Sequence, residues 1–93
     1  MSTYVLFGKY TSDALKSVSA KRTAEAEQLI KSLGGEVKAS YALLGDTDLL
    51  FILELPDNEA AIKASTGLAK LTGIGMRTAP AVTIKEFDRL MSS

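Results

Sequence analysis

The apolar positions of this chain fall into short runs of two periods. Residues 4–10 are rich in aromatic and branched side chains and stop at Thr11-Ser12-Asp13, which is loop or cap chemistry, so a first strand is predicted there. A short turn of helix is predicted within 13–18. Over 20–33 the period becomes helical, with Ala24, Leu29, Ile30 and Leu33 on one stripe and charged residues elsewhere. Ser19 is the candidate N-cap, and Gly34-Gly35 is a strong helix stop. Residues 36–44 alternate, which predicts a strand with Val37, Ala39, Tyr41 and Leu43 on one face and Lys38, Ser40 and Ala42 on the other. Gly45-Asp46-Thr47-Asp48 is turn chemistry, and the strand over 49–55 comes directly after it, so the two form an antiparallel hairpin. Asp57 or Asn58 caps a second helix reaching to about 71, with Ala61, Ile62, Ser65, Leu68 and Ala69 inward and Thr72-Gly73 closing it. A fourth strand over 74–79 is ended, or marked as an edge, by Pro80. Thr83 caps a last short helix carrying Ile84, Phe87 and Leu90.

The order β-α-β-β-α-β plus a terminal helix is the split βαβ pattern of the ferredoxin-like α+β class. It implies a four-stranded antiparallel sheet with two helices on one face. At 93 residues the chain is one domain over 1–93, because a second core would not fit. An antiparallel sheet with one wet face should alternate apolar and polar residues. Leu49, Leu50, Phe51, Ile52 and Leu53 do not alternate, and the first strand has Val5 and Phe7 on one face and Tyr4 and Leu6 on the other. Both faces therefore read as buried. A second copy of the sheet is the simplest cover, making a homodimer or higher homo-oligomer built as a dimeric α/β barrel. The other available cover is the terminal helix folding back.

Composition removes chemistry more than it proposes it. The chain has no Cys and no His, so disulfides, thiolate metal sites, a Cys nucleophile and the commonest general base and metal ligand are absent. Neither a metal nor a cofactor is expected. Lys+Arg and Asp+Glu both number 11, and this zero net charge argues against nucleic acid as the main partner. The longest apolar runs fall far short of the roughly 18 residues that span a bilayer, so no membrane role is expected. No basic region followed by an apolar run opens the chain, and a cytoplasmic protein is expected.

Four residues are candidates for chemistry. Asp48, two residues from Asp46, would serve as a base, an acceptor or a cation ligand, or would simply tie down a turn through nearby N–H groups. Lys9, on the Val5 and Phe7 face, and Arg77, mid-strand, would hold an anionic group, or would pair with Glu54 or Asp48. Tyr41, set opposite Tyr4 or Tyr10, would offer a pocket hydroxyl or pack as core. Lys21-Arg22 is too short a basic run for nucleic acid and reads as a solvated helix face. No phosphate-binding glycine motif is present.

Tyr4, Lys9-Tyr10-Thr11, Arg22, Leu33-Gly34-Gly35, Tyr41, Gly45 through Asp48, Pro56-Asp57 and Arg77-Thr78 together resemble the GYD domain family, small bacterial and archaeal proteins of the dimeric α/β-barrel superfamily. Of the Gly-Tyr-Asp pattern that names the family, Gly45 and Asp48 are kept, while Thr47 stands where the Tyr would be. The resemblance implies the fold and carries no settled activity. Related barrels include cofactor-independent monooxygenases, small isomerases, haem enzymes and ligand-sensing domains, and the absence of His disfavours the haem role. Three classes are open: an oligomeric small-molecule-binding module, a cofactor-independent enzyme using Tyr41, Asp48, Lys9 or Arg77, and a structural or partner-binding subunit. A site is expected where the second strand turns into the third, or in the adjacent cleft.

Overall fold

The computed structural model describes residues 1–16 and 18–92. The chain runs β1 (Ser2–Lys9), α1 (Ser12–Lys16), α2 (Ala20–Ser32), β2 (Glu36–Ala42), β3 (Leu49–Leu55), α3 (Asn58–Thr72), β4 (Gly75–Ala81) and α4 (Ile84–Met91). The turn of helix expected within 13–18 is α1, and Ser17 lies outside the described residues.

The helix ends arise from local chemistry. The side-chain oxygens of Ser19, Asp57 and Thr83 accept the N–H of Arg22 at 3.1 Å, of Ala60 at 2.9 Å and of Glu86 at 3.1 Å. Each satisfies one donor left open at a helix start. At the end of α2, Gly34 has φ 80°, its N–H donates to the Lys31 carbonyl, and the Gly35 N–H donates to the Ile30 carbonyl, both at 3.0 Å. This Schellman pairing needs a left-handed residue that only Gly adopts without strain. Gly34→Ala should therefore cost roughly 1 kcal/mol or more. Gly35→Ala should cost more still, because its Cβ would stand 2.5 Å from Leu55 Cδ2 and 2.6 Å from the Glu54 carbonyl oxygen. Backbone cannot yield as a flexible side chain does, so about 1–3 kcal/mol is expected. Urea melts of the two variants check the ranking, and two unperturbed midpoints would contradict it.

The sheet order is β2-β3-β1-β4, antiparallel throughout, with the helices on one face: the ferredoxin-like α+β fold. Tyr4, Leu6, Leu53 and Leu55 are buried from the sheet, against Ala26 and Ile30 of α2 and Ala60, Ala61, Ala64 and Leu68 of α3. Small residues bring α3 close. A Cβ on Gly67 would meet Leu29 of α2 at 2.9 Å. The buried stripes differ from the expected ones. Ala26 takes the place expected for Ala24, and α3 is turned so that Ala60 and Ala64 face inward while Ile62 is 64% exposed. A helix rich in Ala, Ser and Gly has a weak periodic signal, and close packing selects its smallest side.

β2 contains a second departure. Val37 lies opposite Leu53, but Ala39 lies opposite Ile52, so Lys38 is an extra residue in a β-bulge. The bulge swaps the faces of the residues beyond it. Val37, Ser40 and Ala42 are on the helix side, whereas Ala39 and Tyr41 are on the open side. The single alternating face expected for Val37 through Leu43 does not form, and Tyr41 stands opposite Leu50, not opposite a tyrosine. β4 continues through Pro80 to Ala81, which an edge strand tolerates because one of its sides needs no ladder donor.

The open face is laid out in rows across the strands. One row is Tyr41, Leu50, Phe7 and Arg77; the next is Ala39, Ile52, Val5 and Ala79; the next is Glu36, Glu54, Thr3 and Ala81. Val5, Phe7, Leu50 and Ile52 are left partly exposed. α4 leaves them uncovered, and its own Ile84 and Met91 are 76% and 66% exposed. No helix among the described residues is long and apolar enough to cross a membrane.

Candidate functional site

Three of the expected site residues meet at the end of the sheet beside the β2–β3 turn. Asp48 acts there as a clasp. Its Oδ2 accepts the Tyr10 N–H at 2.9 Å, its N–H donates to the Gly8 carbonyl at 3.0 Å, and its carbonyl accepts the Leu43 N–H at 2.9 Å. Lys9 Nζ donates to the Asp46 carbonyl at 3.2 Å. The Arg77 guanidinium lies 5.7 Å from the centre of the Phe7 ring, and Nη2 reaches Thr47 Oγ1 at 3.5 Å. Neither cation meets Glu54, which sits at the other end of the face and accepts from Thr3 Oγ1 at 3.0 Å. Tyr41 shares a row with Arg77, but Leu50 and Phe7 stand between them. Three strand spacings, about 14 Å, separate the two. Asp48→Ala should cost about 1–2 kcal/mol by leaving the Tyr10 N–H unpaired. Denaturant melts check this, and an unchanged midpoint would show that the clasp is dispensable.

Behind this end, on the helix side, a cleft of ≈ 220 Å³ opens between α2 and the sheet. Leu49, Phe51, Ile74 and Ala26 line it with apolar surface, Tyr10, Arg22 and Ser40 bring polar groups, and Tyr41 adjoins it. Arg22 is held there from two sides. Its N–H is bound by the Ser19 cap, and its Nη1 donates to the Ala14 carbonyl at 2.8 Å. The guanidinium carbon is 6.0 Å from the centre of the Tyr10 ring. Sequence reasoning placed Arg22 on a solvated helix face; the structure turns it over the cleft. One signal was available: the first turn of α2 has Lys21 and Arg22 and no acid, opposite to what the helix dipole favours.

A charged hollow of ≈ 360 Å³ lies between α2 and β2, lined by Glu27, Lys31, Glu36 and Lys38 among others, and two broader ones lie elsewhere. One of ≈ 430 Å³ sits between α3 and β4, where the Tyr4 hydroxyl donates to Asn58 Oδ1 at 2.6 Å, and its lining residues are all uncharged. The other, ≈ 540 Å³, adjoins it at the start of α4. No group of three or more His, Cys, Asp or Glu is arranged to hold a metal among the described residues.

These features define a small ferredoxin-like α+β domain with a largely apolar cleft between its first long helix and the sheet. The fold is shared with the crystal structure of the Mycobacterium tuberculosis leucine response regulatory protein, at TM-score 0.58 and 8% identity, over 88% of this chain and 51% of that one. The present chain thus spans about half the length of that protein. No curated protein matches it in sequence. The family model of the GYD domain matches residues 4–91, and the chain belongs to the GYD domain family.

Proposed function

We propose that this protein is a homodimeric small-molecule-binding module whose sheets pack face to face and whose ligand occupies the cleft between α2 and the sheet. The observation that carries the reading is the cleft itself: an apolar floor with Arg22 and Tyr10 set beside each other at its wall. An arginine stays protonated at any physiological pH. It holds and orients a ligand and does not shuttle protons, which favours binding over an acid–base enzyme.

Surface arithmetic supports the dimer. One chain exposes 6217 Å². A compact monomer of 9.9 kDa should expose about 5,200 Å². The excess of roughly 1,000 Å² is comparable to the area of about 800 Å² that each partner contributes to a standard interface. Charge supports it as well. Lys9 and Arg77 lie toward one end of the open face, and Glu36 and Glu54 lie at the other. A two-fold axis in the interface plane and perpendicular to the strands sets each basic end on the partner's acidic end.

The test is native mass spectrometry of freshly purified protein, followed by a thermal-shift screen against metabolites. The expected result is a dimer mass and a ligand that raises the melting temperature. Saturation at a hundred times Kd adds about 2.7 kcal/mol. A monomer with no added mass and no stabilising compound would refute the reading.

A further inference from the structure

We infer that the α2 cleft takes a small organic anion, with a carboxylate or similar oxyanion held by Arg22 and Tyr10 and a short hydrocarbon or single ring on the apolar floor. The inference rests on the binding-module reading and adds the chemical class of the ligand. Four observations carry it. Arg22 is the one charged residue among those lining the cleft, and no Asp or Glu lines it to neutralise that charge. Arg22 makes one side-chain hydrogen bond, from Nη1 to the Ala14 carbonyl, among the described residues. A guanidinium has five N–H donors, so most of the fork remains available for a carboxylate. The Tyr10 and Ser40 hydroxyls, which belong to residues lining the same cleft, make no side-chain hydrogen bond to the described residues, so each has a donor to offer.

The electrostatics agree. The positive end of the α2 dipole adjoins the cleft, since Ser19, Arg22 and Thr23 of its first turn line the wall. With Lys21 beside them and no acid in that turn, the local potential favours an anion. Size sets the rest. At about 30 Å³ per water, ≈ 220 Å³ is the space of roughly seven waters. That fits a short-chain or single-ring acid.

The probes are benzoate and isobutyrate with their uncharged amides, benzamide and isobutyramide, titrated into the dimer and followed by NMR through the Arg22 side-chain N–H and Tyr10 ring signals. Both acids should shift these signals, and the amides should bind at least about tenfold more weakly. Arg22→Gln should abolish the preference for acid over amide. Because the Arg22–Ala14 bond also ties α1 to α2, Tyr10→Phe serves as the second variant: it should weaken acid binding several-fold while leaving the melting temperature of the unliganded protein unchanged. Acid and amide binding equally at the cleft would overturn the anion assignment and leave the binding module standing. Neither class moving these signals at 20 mM, roughly a hundredfold above a sub-millimolar Kd, would overturn the assignment too. The metabolite screen then decides separately whether the cleft binds anything.

Discussion

Ile52→Asp should turn a particle of twice the 9.9 kDa chain mass into single chains or an unfolded protein. Ile52 sits in the middle row of the open face, between Ala39 and Val5. In a face-to-face dimer a carboxylate there is buried without a partner, at a cost of several kcal/mol for each copy. Ile62→Asp is the control. Ile62 is 64% exposed on the outer side of α3, and its replacement should leave the mass unchanged. Sedimentation at micromolar concentration reads both. A wild-type protein that sediments as one chain would sink the prediction before any variant is made.

Leu53→Ala should lower stability by about 2–5 kcal/mol. Leu53 is fully buried, lies between Tyr4 and Val37 on neighbouring strands, and belongs to the cluster formed with α2 and α3. A domain of this length has roughly 5–14 kcal/mol in total. At about 4–8 °C per kcal/mol, calorimetry should show a fall of about 8 °C or more. Leu50→Ala, three residues earlier and on the opposite face, supplies a contrast. Its effect should grow with dilution, because it weakens the contact between copies, while that of Leu53→Ala should not.

The helix ends, the element order and the hairpin were legible in the sequence because each is written in a few adjacent residues. Ser19, Asp57 and Thr83 cap their helices as their chemistry requires, and Gly34 and Gly73 close theirs with positive φ. The faces were less legible, because a face depends on what a strand meets. The bulge at Lys38 exists in the pairing with β3 and in no local pattern, so Tyr41 was assigned to Val37's face when the two are on opposite sides. The candidate site divides in the same way. Lys9, Asp48 and Arg77 were recognised as polar residues near one turn, and the fold brings them to one end of the sheet. For Arg22 the sequence offered one signal, a basic first turn of α2 without an acid, and no indication of the cleft it would face. Its position depends on a bond to Ala14, eight residues back across α1, which no spacing rule encodes.

Pro80 and the Lys38 bulge bear on how this sheet avoids indefinite growth. They occupy β4 and β2, the two outermost strands. A bare edge invites another strand to add on, and repetition of that step leads to fibres. A proline withholds a donor from any incoming strand, and a bulge twists the margin away from a flat match. With both margins spoiled, lateral polymerisation is discouraged while stacking is left open. The same two irregularities that blur the strand pattern thus guard both margins against edge-to-edge, amyloid-like growth.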